Sequence, residues 1–387
     1  MFGISKPHTI NWITTSFLIG TCLIAVVGTP LYLACFGFSW FLFGYFLFMF
    51  AACAMSITLG YHRLFAHNAF KASWPVKFVT LLFGAAAFEN SVMLWASEHR
   101  RHHKHVDHDD DPYDISKGFF FAHIGWLFLR YIPSVPLDNV ADLRKDKMVA
   151  FQHQYVQQIA VVVGLVVPAV IGWFWHGWTG VLGCLIIPGF LRIVCVHHVT
   201  FFINSLCHTV GGRPYSAKCS ARDSWIMAIF TFGEGYHNYH HEFQHDYRNG
   251  VRRWQWDPTK WTIWTLHKIG LVSGLRRVPK EKILLAVIAE KERSLQTHLG
   301  EASHTLSENV HILLENARTQ LQHAAEVWEA KRQEYAKATE ARMEHSREAI
   351  KHLRQEARRA ARNLRSSMKE WNVAYRAATR DFGAAAA

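Results

Sequence analysis

Charge is missing from long stretches of this chain. No Lys, Arg, Asp or Glu occurs between Pro7 and His62, and none occurs from Met148 to Leu191. Charge-free apolar runs of this length exclude ordinary surface or core helices of a soluble domain. Each run is more than twice the roughly 20 residues that one membrane span needs, so each holds two spans and a turn. The spacing predicts a first hairpin over about 11–30 and 39–59, turning through "LACFGFS", and a second over about 155–173 and 178–199, turning through "FWHGW". The first apolar stretch is too long for a cleaved signal peptide, and no clear A-x-A cleavage site follows it.

Cysteine is sparse and unpatterned. The seven are Cys22, Cys35, Cys53, Cys184, Cys195, Cys207 and Cys219, with no C-x-x-C among them. This spacing argues against a cysteine-bound zinc site and against a disulfide framework. A dinucleotide-binding G-x-G-x-x-G is absent too, since "GEGYHN" lacks the third glycine. No cytochrome b5-like haem segment is present, so electrons for any redox chemistry come from outside the chain. Both hairpin turns lack Lys and Arg, and all 42 such residues lie outside the hairpins or at their near ends. The positive-inside rule then places both termini and the polar segments, about 61–147 and 200–270, on the cytoplasmic side.

Histidine, by contrast, is abundant, with 25 in the chain. Four groups stand out: "HRLFAH" with His62 and His67, "HRRHH" with His99, His102 and His103, "NSLCH" with Asn204 and His208, and "HNYHH" with His237, His240 and His241. On a helix, positions i, i+3 and i+4 share a face, so each H-x-x-H-H projects three imidazoles together. His62 and His67 are five apart, which predicts a helix end or bend between them. Nine adjoining imidazoles would repel one another if protonated and would be costly to bury unpaired. Metal binding resolves both problems, because neutral imidazole is a good ligand. Nine ligands are too many for one ion and suit two.

The stretches "GYHRLFAH", "EHRRHH", "DPYDISKGFFFAHIGWL", "NSLCH" and "GEGYHNYHHEF" resemble the motifs of the membrane acyl-CoA Δ9 desaturases, the stearoyl-CoA desaturase family. The resemblance runs from about residue 10 to 270. It implies an all-α integral membrane fold with four transmembrane helices in two hairpins, under a cytoplasmic helical cap. It implies two irons held by His62, His67, His99, His102, His103, His208, His237, His240 and His241, with Asn204 contacting one iron through water. It implies O2 as co-substrate, a cis double bond placed in a saturated C16–C18 acyl chain, and a bent apolar tunnel to hold that chain. Phe50 and Ala54 match the family's chain-length stop on the second span, Asn90 and Trp95 match its cap positions, and Trp95 and Phe201 lie beside ligands. The resemblance further implies a bacterial inner-membrane enzyme of lipid metabolism. Its electron donor would be external, such as ferredoxin with its reductase, and the net charge of +12 suits an acidic carrier or anionic lipid equally.

One departure bears on the substrate. Animal members carry Arg-Asp before the second motif, where this chain has Ser97-Glu98, so an acyl-lipid or acyl carrier protein stands beside acyl-CoA. His105, His108, His197, His198 and His245 have no place in the pattern and are expected to be solvated or locally hydrogen-bonded. "DHDDDP" is expected to be a turn or N-cap. Two rival readings use the same residues: a related di-iron hydroxylase or decarboxylase, and a histidine-rich metal transporter. The near absence of ionisable residues from the spans argues against transport.

Within the last segment, 271–387, the composition changes from about 280 to Ala, Glu, Arg, Gln and Lys, with no proline after Pro279. This predicts a cytoplasmic C-terminal helical extension, one long helix interrupted only by Gly300. Leu306, Val310, Leu313 and Ala317 form a short seam with 4,3,4 spacing, too short for a stable coiled coil. The extension is expected to be accessory, at the membrane surface or a partner interface. It lacks the stacking aromatics of a nucleic-acid binder.

Overall fold

In a computed structural model, residues 9–130, 137–301, 306–340 and 347–385 are described. They are mostly helical. Residues up to Arg277, apart from Pro214–Ser216, form one compact unit, and Val278–Ala387 with Pro214–Ser216 form a second.

In the first unit, three helices are long and apolar enough to cross a membrane: α1 (Trp12–Phe36), α2 (Trp40–Ala66) and α5 (Lys147–Thr209). Their starts are set by side-chain caps. Asn11 accepts from the Thr14 N–H, Ser39 from the Leu42 N–H, and Asp146 from the N–H groups of Met148 and Val149, which satisfies donors that a helix leaves open. Only 17% of the most apolar window of α1 is buried within the protein, and Ile13, Trp40 and Phe174 are exposed. Surface this apolar needs a lipid partner.

The helix α5 is not one rod. His176 and Gly177 leave helical geometry, Gly177 at φ 59°. A side chain on Gly172 would meet the Gly180 carbonyl at 2.3 Å, so the chain doubles back on itself across "FWHGW". Glycine is required at both faces of that close approach.

Between these helices lie α3 (Trp74–Ala86) and α4 (Val92–His105), the latter capped by Ser91. After α5 come the short α6 (Trp225–Phe230) and α7 (His237–Glu242), then α8 (Pro258–Lys268). Two short antiparallel pairs close the chain: Thr9–Ile10 with Leu129–Arg130, and Lys71–Ala72 with Val272–Ser273. The main core joins α2, α3 and α4 through Cys53, Ile57, Tyr61, Leu81, Val92 and Ala96, all buried.

The second unit corrects the single-helix expectation. It contains α9 (Lys280–Glu301), which runs through Gly300, α10 (Glu308–Glu340) and α11 (Arg347–Ala385). They share a core of Ile288, Leu295, Leu314, Leu321, Trp328, Leu364 and Trp371. The seam of α10 is also displaced from the one expected: Leu313 is 45% exposed and Leu314 is 2% exposed. It steps by 4,3,4,3,4 through Val310, Leu314, Ala317, Leu321, Ala324 and Trp328, a heptad pattern long enough to pair helices. The early residues Leu306 and Val310 fitted two registers, and only the later Leu321 and Trp328 separate them.

Candidate metal centre

The nine expected histidines converge into two groups. His62, His67, His99, His103 and His240 form one, and His102, His208, His237 and His241 form the other. In each, one ring nitrogen per residue lies within 4.8 Å of all the rest. Four chain segments supply them: the end of α2, the face of α4, the last turn of α5, and α7.

Local structure explains how each set is aimed. Ser56–Ala66 is wound as a π-helix, and the His67 N–H donates to the His62 carbonyl, five residues back. The wider turn brings both rings onto one side, with centroids 4.8 Å apart. A π-turn therefore replaces the expected bend. Arg100, between the ligands of α4, donates to the carbonyls of Phe65 and Ala66. It caps the end of α2 and fixes α4 against it. Gly235 permits the approach of the loop before α7, because a Cβ there would meet the Ala228 nitrogen at 2.1 Å.

The nitrogen geometry is that of a ligand set. Nε2 atoms are separated by 3.0 Å between His62 and His240, 2.8 Å between His67 and His99, 2.9 Å between His103 and His240, and 3.1 Å between His208 and His237. Two ligands with bonds of about 2.1 Å, at right angles on one ion, stand roughly 3.0 Å apart. Hydrogen bonding does not account for the set. His102 donates from Nδ1 to Asp111 at 2.8 Å, which leaves its buried Nε2 with no hydrogen-bond partner among the described residues. His62 presents Nδ1 to Glu234 Oε2 at 2.9 Å. In His62 and His102 a ring nitrogen facing outward to a carboxylate leaves the inward Nε2 as a bare lone pair. A cation satisfies lone pairs that otherwise repel, and carboxylate-backed histidine is the usual support for such a ligand. The residues therefore fit a metal ion in each group.

Electrostatics agree. Burial, then the neighbouring imidazoles, hold His67, His99, His103, His237, His240 and His241 well below the ordinary histidine range. These rings are neutral at pH 7, the ligating form. Burial works to raise the Glu234 carboxyl, but the Arg63 guanidinium and His62 outweigh it and bring it down to about 2. Arg63 is itself fully buried and also bonds Asp257 and the Tyr247 carbonyl.

Beside the first group lies a cavity of about 490 Å³, bounded by His62 and His99 at the metal side. Asn90, Trp95, Phe201 and Asn204 all line it, whereas Phe50 and Ala54 do not. Ala54 is buried, and Phe50 stacks on Phe46 and lies 5.9 Å from Phe232. Ile57 and Thr58, two turns further along the same helix, are in the wall. Asn204 sits one turn before His208 on α5 and belongs to neither histidine group. Three carboxylates, Glu89, Glu98 and Glu234, line the cavity, and no Lys or Arg does so among the described residues. The departing pair divides: Ser97 is buried and bonds Asn139, while Glu98 faces the cavity.

The remaining histidines lie outside both groups. His197 bonds the Ala87 carbonyl, His198 meets His123, and His245 bonds the His67 carbonyl. His105 stands 3.9 Å from Asp110, and His108 is exposed. "DHDDDP" is a turn, as expected, but its Asp111 is buried against His102, a role that turn propensity alone did not reveal.

An apolar helical stem, two polyhistidine groups that could each hold a metal ion and an adjoining apolar cavity define the class: a membrane protein with histidine-rich candidate metal sites. A profile of the fatty acid desaturase family matches residues 38–268. The chain is 37% identical over 291 residues to a probable acyl-CoA desaturase of Schizosaccharomyces pombe, covering 74% of this chain and 59% of that protein. It is 36% identical to acyl-CoA desaturase 1 of Saccharomyces cerevisiae, covering 74% and 56%, and 34% identical to human stearoyl-CoA desaturase, covering 68% and 73%. The chain thus spans less than two thirds of the two yeast relatives. It belongs to the fatty acid desaturase family.

Proposed function

We propose that the protein is an O2-dependent fatty acyl desaturase. It converts a –CH2–CH2– pair of a saturated C16–C18 chain into a cis double bond, at the Δ9 position, while O2, two electrons and two protons become two waters. The acyl chain is carried on CoA or on a membrane lipid. The carrying observation is the meeting of nine imidazoles, in sets of five and four, with an apolar cavity that reaches His62 and His99.

Removal of hydrogen from an unactivated methylene is beyond acid–base chemistry, and two bound irons would supply the O2-derived oxidant. The chain's own residues hold and shield the substrate. Trp95 and Phe201 pack the methylenes, Asn90 and Asn204 present polar groups along the path, and Asn204 would contact one iron through a water. Glu234 and Asp111 hold His62 and His102 in their ligating orientation. Phe50 and Ala54, beyond Ile57 on α2, set where the chain stops.

The long apolar helices, with α5 folded at Gly177, support four membrane spans, and the charge-free hairpin turns support a cytoplasmic cap; the membrane of this reading is a bacterial inner membrane. The positive net charge supports an acidic one-electron carrier such as ferredoxin, loaded by its reductase. Among the described residues the C-terminal extension adds no side chain to either histidine group, and it is accessory: truncation after Pro279 keeps both irons. Loss of iron on that truncation would place the extension in the catalytic domain. The proposal is tested by metal analysis of protein made in iron-replete cells. About two irons per chain are expected from the ligand count, and zinc alone would contradict it.

A further inference from the structure

The four-histidine group is supported from one acidic turn. Asp111 receives the His102 Nδ1 proton directly. His208, in the same group, has no carboxylate at its Nδ1 among the described residues; it meets the Ser220 hydroxyl at 2.7 Å. That hydroxyl donates to Asp107 Oδ1, and the Ser220 N–H donates to Asp107 Oδ2 at 2.6 Å. A hydroxyl has one proton and a carboxylate only accepts. With its proton given to Asp107, Ser220 accepts from His208 Nδ1–H, which leaves His208 Nε2 as the lone pair facing the metal position.

Two further observations bind the relay together. The Asp107 N–H donates to Asp111 Oδ2, so the two acids that back His102 and His208 brace each other. Asp107 also holds φ at 64°, a left-handed conformation that a non-glycine residue keeps only when its surroundings demand it.

We propose that Asp107, acting through Ser220, is a positioning residue that selects the tautomer and orientation of His208 and so sets the ion affinity of the four-histidine group. The inference rests on the metal-binding reading. It concerns one ion of the pair, because the five-histidine group is backed separately through Glu234 and His62.

The test uses the full-length protein in lipid nanodiscs, with iron-57 as the probe, titrated against a chelator. Iron per chain and Mössbauer spectra are recorded for wild type, Asp107→Asn, Ser220→Ala, Ser220→Thr and the Asp107→Asn/Ser220→Ala double variant. Loss of such a support typically weakens metal binding about 10–100-fold. Each of Asp107→Asn and Ser220→Ala is expected to release one iron at lower chelator concentration by that factor, and to lose one spectral component while the other persists. The double variant is expected to be no weaker than Ser220→Ala, since both break one relay. Ser220→Thr, which keeps the hydroxyl, restores the second iron. Equal loss of both irons, or full retention of both in Ser220→Ala, overturns the relay. Failure of wild type to hold two irons overturns the metal reading itself and is seen before any variant is compared. Asp107→Asn is close to isosteric, so if Ser220→Ala misfolds the Asp107 result alone decides the question.

Discussion

Glu234→Gln is the substitution whose consequence the structure quantifies best. Glu234 Oε1 accepts two N–H groups of Arg63, at 2.8 and 3.1 Å. Oε2 accepts from Asn249 Nδ2 at 2.6 Å and faces His62 Nδ1 at 2.9 Å. A glutamine presents one amide nitrogen in place of an oxygen, and every neighbour on either side is a donor. Whichever way it turns, two donors oppose it, and the buried Arg63 loses one of its two acidic partners. The carboxyl is held at about 2 against an ordinary 4.5, a preference of roughly 3 kcal/mol for the charged form. Breaking a buried ion pair costs about 3–5 kcal/mol, so the two figures agree. For a unit of this size that corresponds to a fall in Tm of roughly 6–12 °C in the metal-free protein. Because the carboxyl pKa is depressed, its contribution is complete above about 4.5 and is lost as pH falls toward 2. The gap between wild type and variant should therefore be constant from neutral pH to about 5 and shrink below about 4.5. Thermal unfolding of the full chain in nanodiscs, followed by intrinsic fluorescence at several pH values, measures this. A variant that melts with wild type at pH 7 would refute the reasoning.

The other predictions follow from the same geometry. His99→Ala, His208→Ala and His240→Ala each abolish activity, whereas His105→Ala and His245→Ala do not; wild-type turnover in His208→Ala, measured with artificial electrons, would remove that residue from the ligand set. Phe50→Ala moves the product profile toward longer chains, because loss of the ring between Phe46 and Phe232 opens space beyond Ile57; an unchanged fatty-acid profile would reduce Phe50 to packing. Burial pushes the Glu89 carboxyl up to about 8, against the Thr200 and Trp95 donors that favour its charge. The folded chain then holds a proton that the unfolded chain releases above about 4.5, so stability falls as pH rises from there toward 8. Glu89→Gln should flatten that slope, and an unaltered melting profile between pH 5 and 8 would contradict it.

The two H-x-x-H-H triplets were legible as clusters because helical periodicity alone places their rings together. Their division between two groups was not. His99 and His103 serve one group while His102 serves the other, and one helix face cannot reveal which distant rings meet each member. The pairing of His62 with His67 needed the π-turn, which has no composition signal. Glu234 stood in view inside "GEGYHNYHH", but its role depends on Arg63 and His62, some 170 residues earlier in the chain. Asp107 and Ser220 were hidden for the same reason. Apolar runs announced the stem, and a composition change announced the extension. The extension's three helices were obscured because their sequences share one helical composition, with no proline after Pro279.

The central claim is that these nine imidazoles serve the oxidation of an acyl chain. It is tested most directly by mass spectrometry of total fatty acids from cells lacking their own desaturase, with and without this chain. The account predicts new cis-monounsaturated C16 or C18 acids with the double bond at one position, and none with His240→Ala made to the same level. Hydroxylated or shortened chains instead, or an unchanged profile from cells accumulating iron-loaded protein with a working electron donor, would contradict it.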